Sequence, residues 1–129
     1  MTIADVRDLF ETIFPGLTDY YVGKMDASKE RVITFRRGLS IHQRAIMKLE
    51  SYDTIATNCI LNGTRNMKET DELVENIRQV LLSVEHPAIN GFEVVMLTIR
   101  NIVPLGINEK EIYDYAIDFE IVYKKKKED

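Results

Sequence analysis

The chain has 129 residues, the size of one domain, and its 45% hydrophobic content can enclose a core without covalent staples. Its 21 acids and 17 bases give a net charge of −4, which argues against a protein that grips nucleic acid along its backbone, a task for a clustered basic surface. One cysteine, Cys59, allows no internal disulfide and fits a reducing compartment; the mixed acids of "MTIADVRDLFETIF" argue against a signal peptide, and no apolar run approaches the roughly 20 residues of a membrane span.

Ile3, Val6, Phe10, Ile13 and Phe14 recur at helical spacing, with Thr2 as cap, Asp5 in the first turn and Pro15-Gly16 as the stop. "LTDYYVGK" and "RVITFRR" read as two strands, and the polar "MDASKE" between them predicts a hairpin. In the second strand Val32, Thr34 and Arg36 alternate with Ile33, Phe35 and Arg37. "GLSIHQRAIMKLES" has no clear period, so residues 36–50 read as an arm: a short helix, an extended segment or a long loop. "YDTIATNCILNG" is a strand with Ile55, Thr57, Cys59 and Leu61 on one face, ended by Asn62-Gly63. The "NGT" there matches a glycosylation triplet, but it reads as a turn where no secretory signal is seen.

Leu73, Val74, Ile77, Val80, Leu81 and Val84 form the stripe of a second helix, capped by Thr70, with a start as early as Met67. Asn90-Gly91 then turns the chain into "FEVVMLTIRNIV". Both faces of that segment are apolar at its centre, which predicts a strand covered on both sides. Pro104 and Gly106 mark the expected turn into the last strand.

The last strand lies in "EIYDYAIDFEIVYKKKKED". Tyr113, Tyr115, Ile117, Phe119, Ile121 and Tyr123 fall on one face; Asp114, Ala116, Asp118, Glu120 and Val122 fall on the other. Asp114, Asp118 and Glu120 are therefore candidates for an acidic face toward solvent or a lumen. The lysines from 124 to 127 open a charged tail, 124–129, expected to be disordered, which leaves a single domain over 1–123. The expected fold is α+β: a mostly antiparallel or mixed sheet packed with two helices, in the order α-β-β-arm-β-α-β-β.

Chemistry is sparse. There is neither GxGxxG nor a Walker loop, and two histidines with one cysteine offer little to a zinc ion, so no cofactor or metal is implied. His42 and Cys59 could form a thiol–base pair, but Cys59 reads as a small core residue. Asp118 and Glu120, about 6.6 Å apart along a strand, have the separation of a two-carboxylate hydrolase, yet alternate acids are what any solvated strand face shows. Arg36, Arg37, Arg44 and Lys48 are candidate contacts for a partner, the alternative being a solvated loop. Tyr20, Tyr21, Tyr52, Tyr113, Tyr115 and Tyr123 suit both cores and interfaces and are expected to divide between them.

"SYDTIATNCIL" at 51–61, the "ET" at 69–70 that opens the helix, and "VPLGINEKEIYDYAIDFEIVY" at 103–123 resemble the minor capsid or tail-completion proteins of Gram-positive long-tailed bacteriophages, the group that supplies tail terminators. The likeness runs loosely from about residue 17 and well from 51. These relatives carry prolines and aromatics before the tyrosine-aspartate-threonine strand, where this chain has "RRGLSIHQRAIMKLES", so contacts of the arm do not carry over. The resemblance implies a virion protein without enzymatic activity or cofactor, at the head–tail junction after assembly in the host cytoplasm. It implies a homohexameric ring on the tail tube that stops tube growth and meets the head-side connector. DNA would pass without specific binding, and no membrane is involved. A stopper or adaptor of the same connector is the neighbouring expectation, and a small acid–base hydrolase the more distant one.

Overall fold

The computed structural model describes residues 1–24, 27–38 and 52–126. In chain order these form α1 (Ile3–Ile13), β1 (Asp19–Val22), β2 (Val32–Arg37), β3 (Asp53–Asn62), α2 (Met67–Ser83), β4 (Ala88–Ile89), β5 (Phe92–Ile107) and β6 (Tyr113–Lys125). The strands make one mixed sheet in the order β1-β2-β3-β6-β5-β4, so the molecule is an α+β protein with mostly antiparallel pairing. Most of the expected arm lies outside the described residues, Arg44 and Lys48 included.

Helix α1 starts where its chemistry says it should. Thr2 Oγ1 accepts from the Asp5 N–H at 3.2 Å, and Asp5 Oδ2 accepts from the Thr2 N–H at 2.7 Å. Such reciprocal capping satisfies two otherwise orphaned amides and contributes about 1 kcal/mol. Ile3, Val6, Leu9 and Phe10 face inward. The Phe10 ring stands edge-on to Phe35 of β2 at 5.2 Å, with Tyr20 and Phe14 beside it. This helix touches β1 and β2 at one end of the sheet and β4 at the other, so it bridges the sheet's two ends.

Helix α2 is capped by Asn66, whose Oδ1 accepts from the Glu69 N–H at 3.0 Å; the expected cap, Thr70, is a full turn inside and buried. The Thr70 hydroxyl accepts from the Thr64 N–H at 2.9 Å and donates to the Asn66 carbonyl at 3.0 Å. It thereby ties the helix to the end of β3. Leu73, Val74, Ile77 and Leu81 complete the buried stripe. Both helices feed one core with Ile33, Phe35, Ile55, Cys59, Leu61, Ile117, Phe119 and Ile121 from one face of the sheet. The opposite face carries no helix among the described residues.

Several expectations change here. The pair β1–β2 is parallel, with Asp19 opposite Val32, not a hairpin. The Thr18 N–H donates to the Arg31 carbonyl at 2.7 Å, which places the start of β1 beside the start of β2, and the polar connector returns the chain instead of reversing it. Strand β5 is not covered on both sides. Val94, Leu97, Ile99, Ile102 and Pro104 all lie opposite the inward residues of β6, because register shifts fall between Val94 and Met96, Ile99 and Asn101, and Pro104 and Gly106. Each irregularity moves the strand's phase by one residue, so Val94, Leu97, Ile99 and Ile102 reach one face although their spacing in the sequence is uneven. Met96 is left 55% exposed. Pro104 and Gly106 lie inside β5, and the turn comes after it, where Asn108 Oδ1 accepts from the Lys110 N–H at 2.7 Å.

Asn90-Gly91 does turn the chain, as a two-residue hairpin loop with φ of 49° and 85°, between β5 and the short β4, which the pattern did not suggest. Strand β6 runs to Lys125, past the expected domain end at 123, and Lys124 lies 4.0 Å from Glu93. Residues 127–129 of the expected tail lie outside the described residues.

Gly63 is required by closeness. A Cβ there would meet Thr70 Cγ2 at 2.4 Å and the Tyr113 carbonyl oxygen at 2.9 Å. Gly63→Ala should therefore lower unfolding stability by about 1–3 kcal/mol, read as a shift in urea midpoint at unchanged m-value.

Candidate functional site

The helix-free face holds a polar row that runs across four strands. Arg36 of β2, Asn58 of β3, Asp118 of β6 and Asn101 of β5 are successive register partners. Arg36 Nη2 donates to Asn58 Oδ1 at 2.7 Å, and Asn58 Nδ2 donates to Asp118 Oδ1. One residue pair along, Arg100 Nη2 donates to Glu120 Oε2 at 2.8 Å. These six side chains line an open cleft of about 550 Å³.

The row arises because β2, β3 and β6 keep strict alternation while β5 does not. The register shift between Ile99 and Asn101 turns Asn101 to the polar face opposite Asp118. Asn58, Arg100 and Asn101 were not singled out in the sequence. Their even phase in β3, or their place beside a bulge in β5, becomes meaningful once the register is known.

The acidic candidates fare differently. Asp118 is half-buried and tied to Asn58. Asp114 and Glu120 are buried, 9% and 7% exposed, so neither forms the solvent-facing acidic surface that the alternation suggested. Asp114 accepts from Asn108 Nδ2 at 3.3 Å, and that same nitrogen reaches the Ala27 carbonyl at 3.2 Å, so two loops cover this carboxylate. Burial raises the Asp114 carboxyl above its usual range, and the Asn108 contact opposes this. Asp118 and Glu120 each hold a hydrogen-bond partner on the sheet, Asn58 and Arg100 respectively.

Arg36 and Arg37 are exposed at the end of β2; Arg44 and Lys48 lie outside the described residues, as does His42. Cys59 is fully buried, and burial, followed by the Asp118 charge, pushes its thiol well above the usual value while Arg36 pulls slightly the other way. Three of the tyrosines are held by contacts within the fold. Tyr123 is buried against Phe92 at 5.4 Å, Tyr115 donates to Asp71 at 2.7 Å, and Tyr20 donates to the Phe14 carbonyl at 2.6 Å. The strand that carries three of them, β6, is central in the sheet, between β3 and β5.

The exposed apolar residues cluster elsewhere. Beyond Val94 the outer edge of β5 has no strand beside it among the described residues. Along it Met96, Val103, Leu105 and Ile107 are 55%, 45%, 53% and 55% exposed. The opposite end of the sheet, β1, shows Val22 at 42%. Among the described residues no cluster of three or more His, Cys, Asp or Glu could hold a metal, and no helix is long and apolar enough to cross a membrane.

No protein-family model and no curated protein matches the chain. Among the described residues the fold is α+β, with both helices on one face of the sheet, a cleft of paired charges on the other and no strand beside most of β5.

Two outcomes follow from this geometry. Because the fold raises the Asp114 pKa, it binds the proton more tightly than the unfolded chain does, and stability at this site falls as pH rises through the folded value. Asp114→Asn should raise the melting temperature at neutral pH, and the gain should shrink as pH drops through the raised folded value and be gone below the ordinary carboxylate range. Cys59 should resist a thiol reagent in the native protein and react fully in denaturant; native-state labelling at the rate of a free thiol would contradict its burial.

Proposed function

We propose that the protein is a structural component of a phage virion, a tail terminator whose copies join into a collar on the tail tube. The observation that carries this reading is the outer edge of β5. It is long, nearly uncharged and flanked by exposed Met96, Val103, Leu105 and Ile107. An open edge of that kind invites pairing, and soluble proteins normally blunt or cover it. A ring covers it by design, because one patch of each copy meets a different patch of the next until rotation closes the circle. The bulges and Pro104 twist the edge and interrupt its donors, which disfavours unlimited strand-to-strand growth. The resemblance of 51–61 and 103–123 to tail-completion proteins agrees with this reading, as does a net charge of −4 for a collar through which DNA slides.

The lysine double variant Leu105→Lys with Ile107→Lys tests the edge. Both sites are exposed, so folding stability should change by only about 0.5 kcal/mol per site, while self-association in sedimentation and collars in negative-stain images should be lost. Particles assembled without the protein should carry tails of uncontrolled length, detached from heads. Tails of normal length would count against the terminator role, and binding to the head-side ring instead of the polymerised tube would move the protein to a stopper or adaptor.

A further inference from the structure

The sequence contains Asn-Gly at 62–63 and again at 90–91, and the fold treats the two pairs in opposite ways. Asn-Gly is the pair most prone to spontaneous loss of the side-chain amide, because glycine leaves the next backbone nitrogen unshielded. Asn62 is wholly buried in β3, and the Gly63 N–H is held by the Tyr113 carbonyl at 2.9 Å. Asn90 and Gly91 are both exposed at the tip of the β4–β5 hairpin, and nothing lies within 4 Å of where a Gly91 Cβ would be. Asn90 Nδ2 also does structural work: it donates to Asp5 Oδ1 and to Asp8 Oδ2, both at 2.9 Å. One amide thus fastens the hairpin tip to α1 through two carboxylates.

We propose that Asn90 is a site of covalent modification, and that its slow conversion to aspartate or isoaspartate releases the β4 end of the sheet from α1. The Gly91 nitrogen attacks the Asn90 side-chain carbonyl carbon and closes a five-membered imide. The carbon–nitrogen bond of the side-chain amide breaks, and ammonia leaves with the proton that the Gly91 nitrogen gives up. Water then opens the ring at either carbonyl. The product has lost both donors and gained a carboxylate, aimed at the two it formerly bound. Two cations act on this pair: the Met1 ammonium favours the Asp5 carboxylate, and the Arg7 guanidinium is already bonded to Asp8 Oδ1 at 3.0 Å. Three carboxylates then converge where two hydrogen bonds stood, and like charges at such range repel.

The test is peptide mapping by mass spectrometry of the intact folded chain after prolonged incubation in mildly alkaline buffer, together with melting of Asn90→Asp and Asn90→Gly. Aspartate and isoaspartate should accumulate at Asn90 and not at Asn62. Asn90→Asp should melt lower than Asn90→Gly, which loses the same bonds without adding charge, and Asp8→Asn placed alongside Asn90→Asp should recover part of the loss. Conversion at Asn62 as fast as at Asn90, or an Asn90→Asp protein that melts no lower than Asn90→Gly, would overturn the proposal.

Discussion

The contact of α1 with both ends of the sheet is the constraint on which the architecture rests. Phe10 packs against Phe35 and Tyr20 at the β1–β2 end, while Asp5 and Asp8 hold Asn90 at the β4 end. Apolar packing fixes one side and charge-assisted hydrogen bonds fix the other. The two kinds of contact respond to different conditions: the first weakens on cooling, the second is screened by salt. Burial pushes the Asp5 carboxyl up, but the hydrogen bonds from Thr2 and Asn90 outweigh it and hold the group below its usual value.

The face away from α1 follows a different logic. Its charges are neutralised in place: Arg36 and Asp118 through Asn58, and Arg100 against Glu120. Arg37 also lines this cleft, so its charges are three guanidinium groups and two carboxylates. Four exposed apolar residues lie along β5, and Met67 and Leu82 of α2 and Val22 of β1 are exposed as well. Met96 and Val103 lie opposite Val122 and Ala116, so exposed apolar side chains border the polar row on the same face of the sheet.

The helices were legible from residues alone because capping and a period of 3.6 are local properties. Thr2 with Asp5, and the stripe from Leu73 to Leu81, need no knowledge of distant partners. Asn90-Gly91 was equally plain, since few pairs adopt two positive φ angles in succession. Strand β5 was not legible: three irregularities shift its phase, and these depend on how it meets β6. The parallel pairing of β1 with β2 was hidden for a similar reason, since a polar connector reads the same whether it reverses the chain or returns it. Asp114 and Glu120 looked solvated because alternation reports a face, while cover comes from loops such as the one bearing Asn108. The polar row from Arg36 to Asn101 required register, which no single segment contains.

The middle position of β6 has a consequence for how the molecule is made. Asn58 and Asp118 stand side by side in the sheet yet are separated by 60 residues of chain. In chain order the first three strands and the β4–β5 pair precede β6, and neither group completes its hydrogen bonding until β6 joins them. Long-range pairing of this kind is slow, and unfinished intermediates with open sides adhere to one another. The sheet is therefore continuous only when β6 has paired with β3 on one side and with β5 on the other.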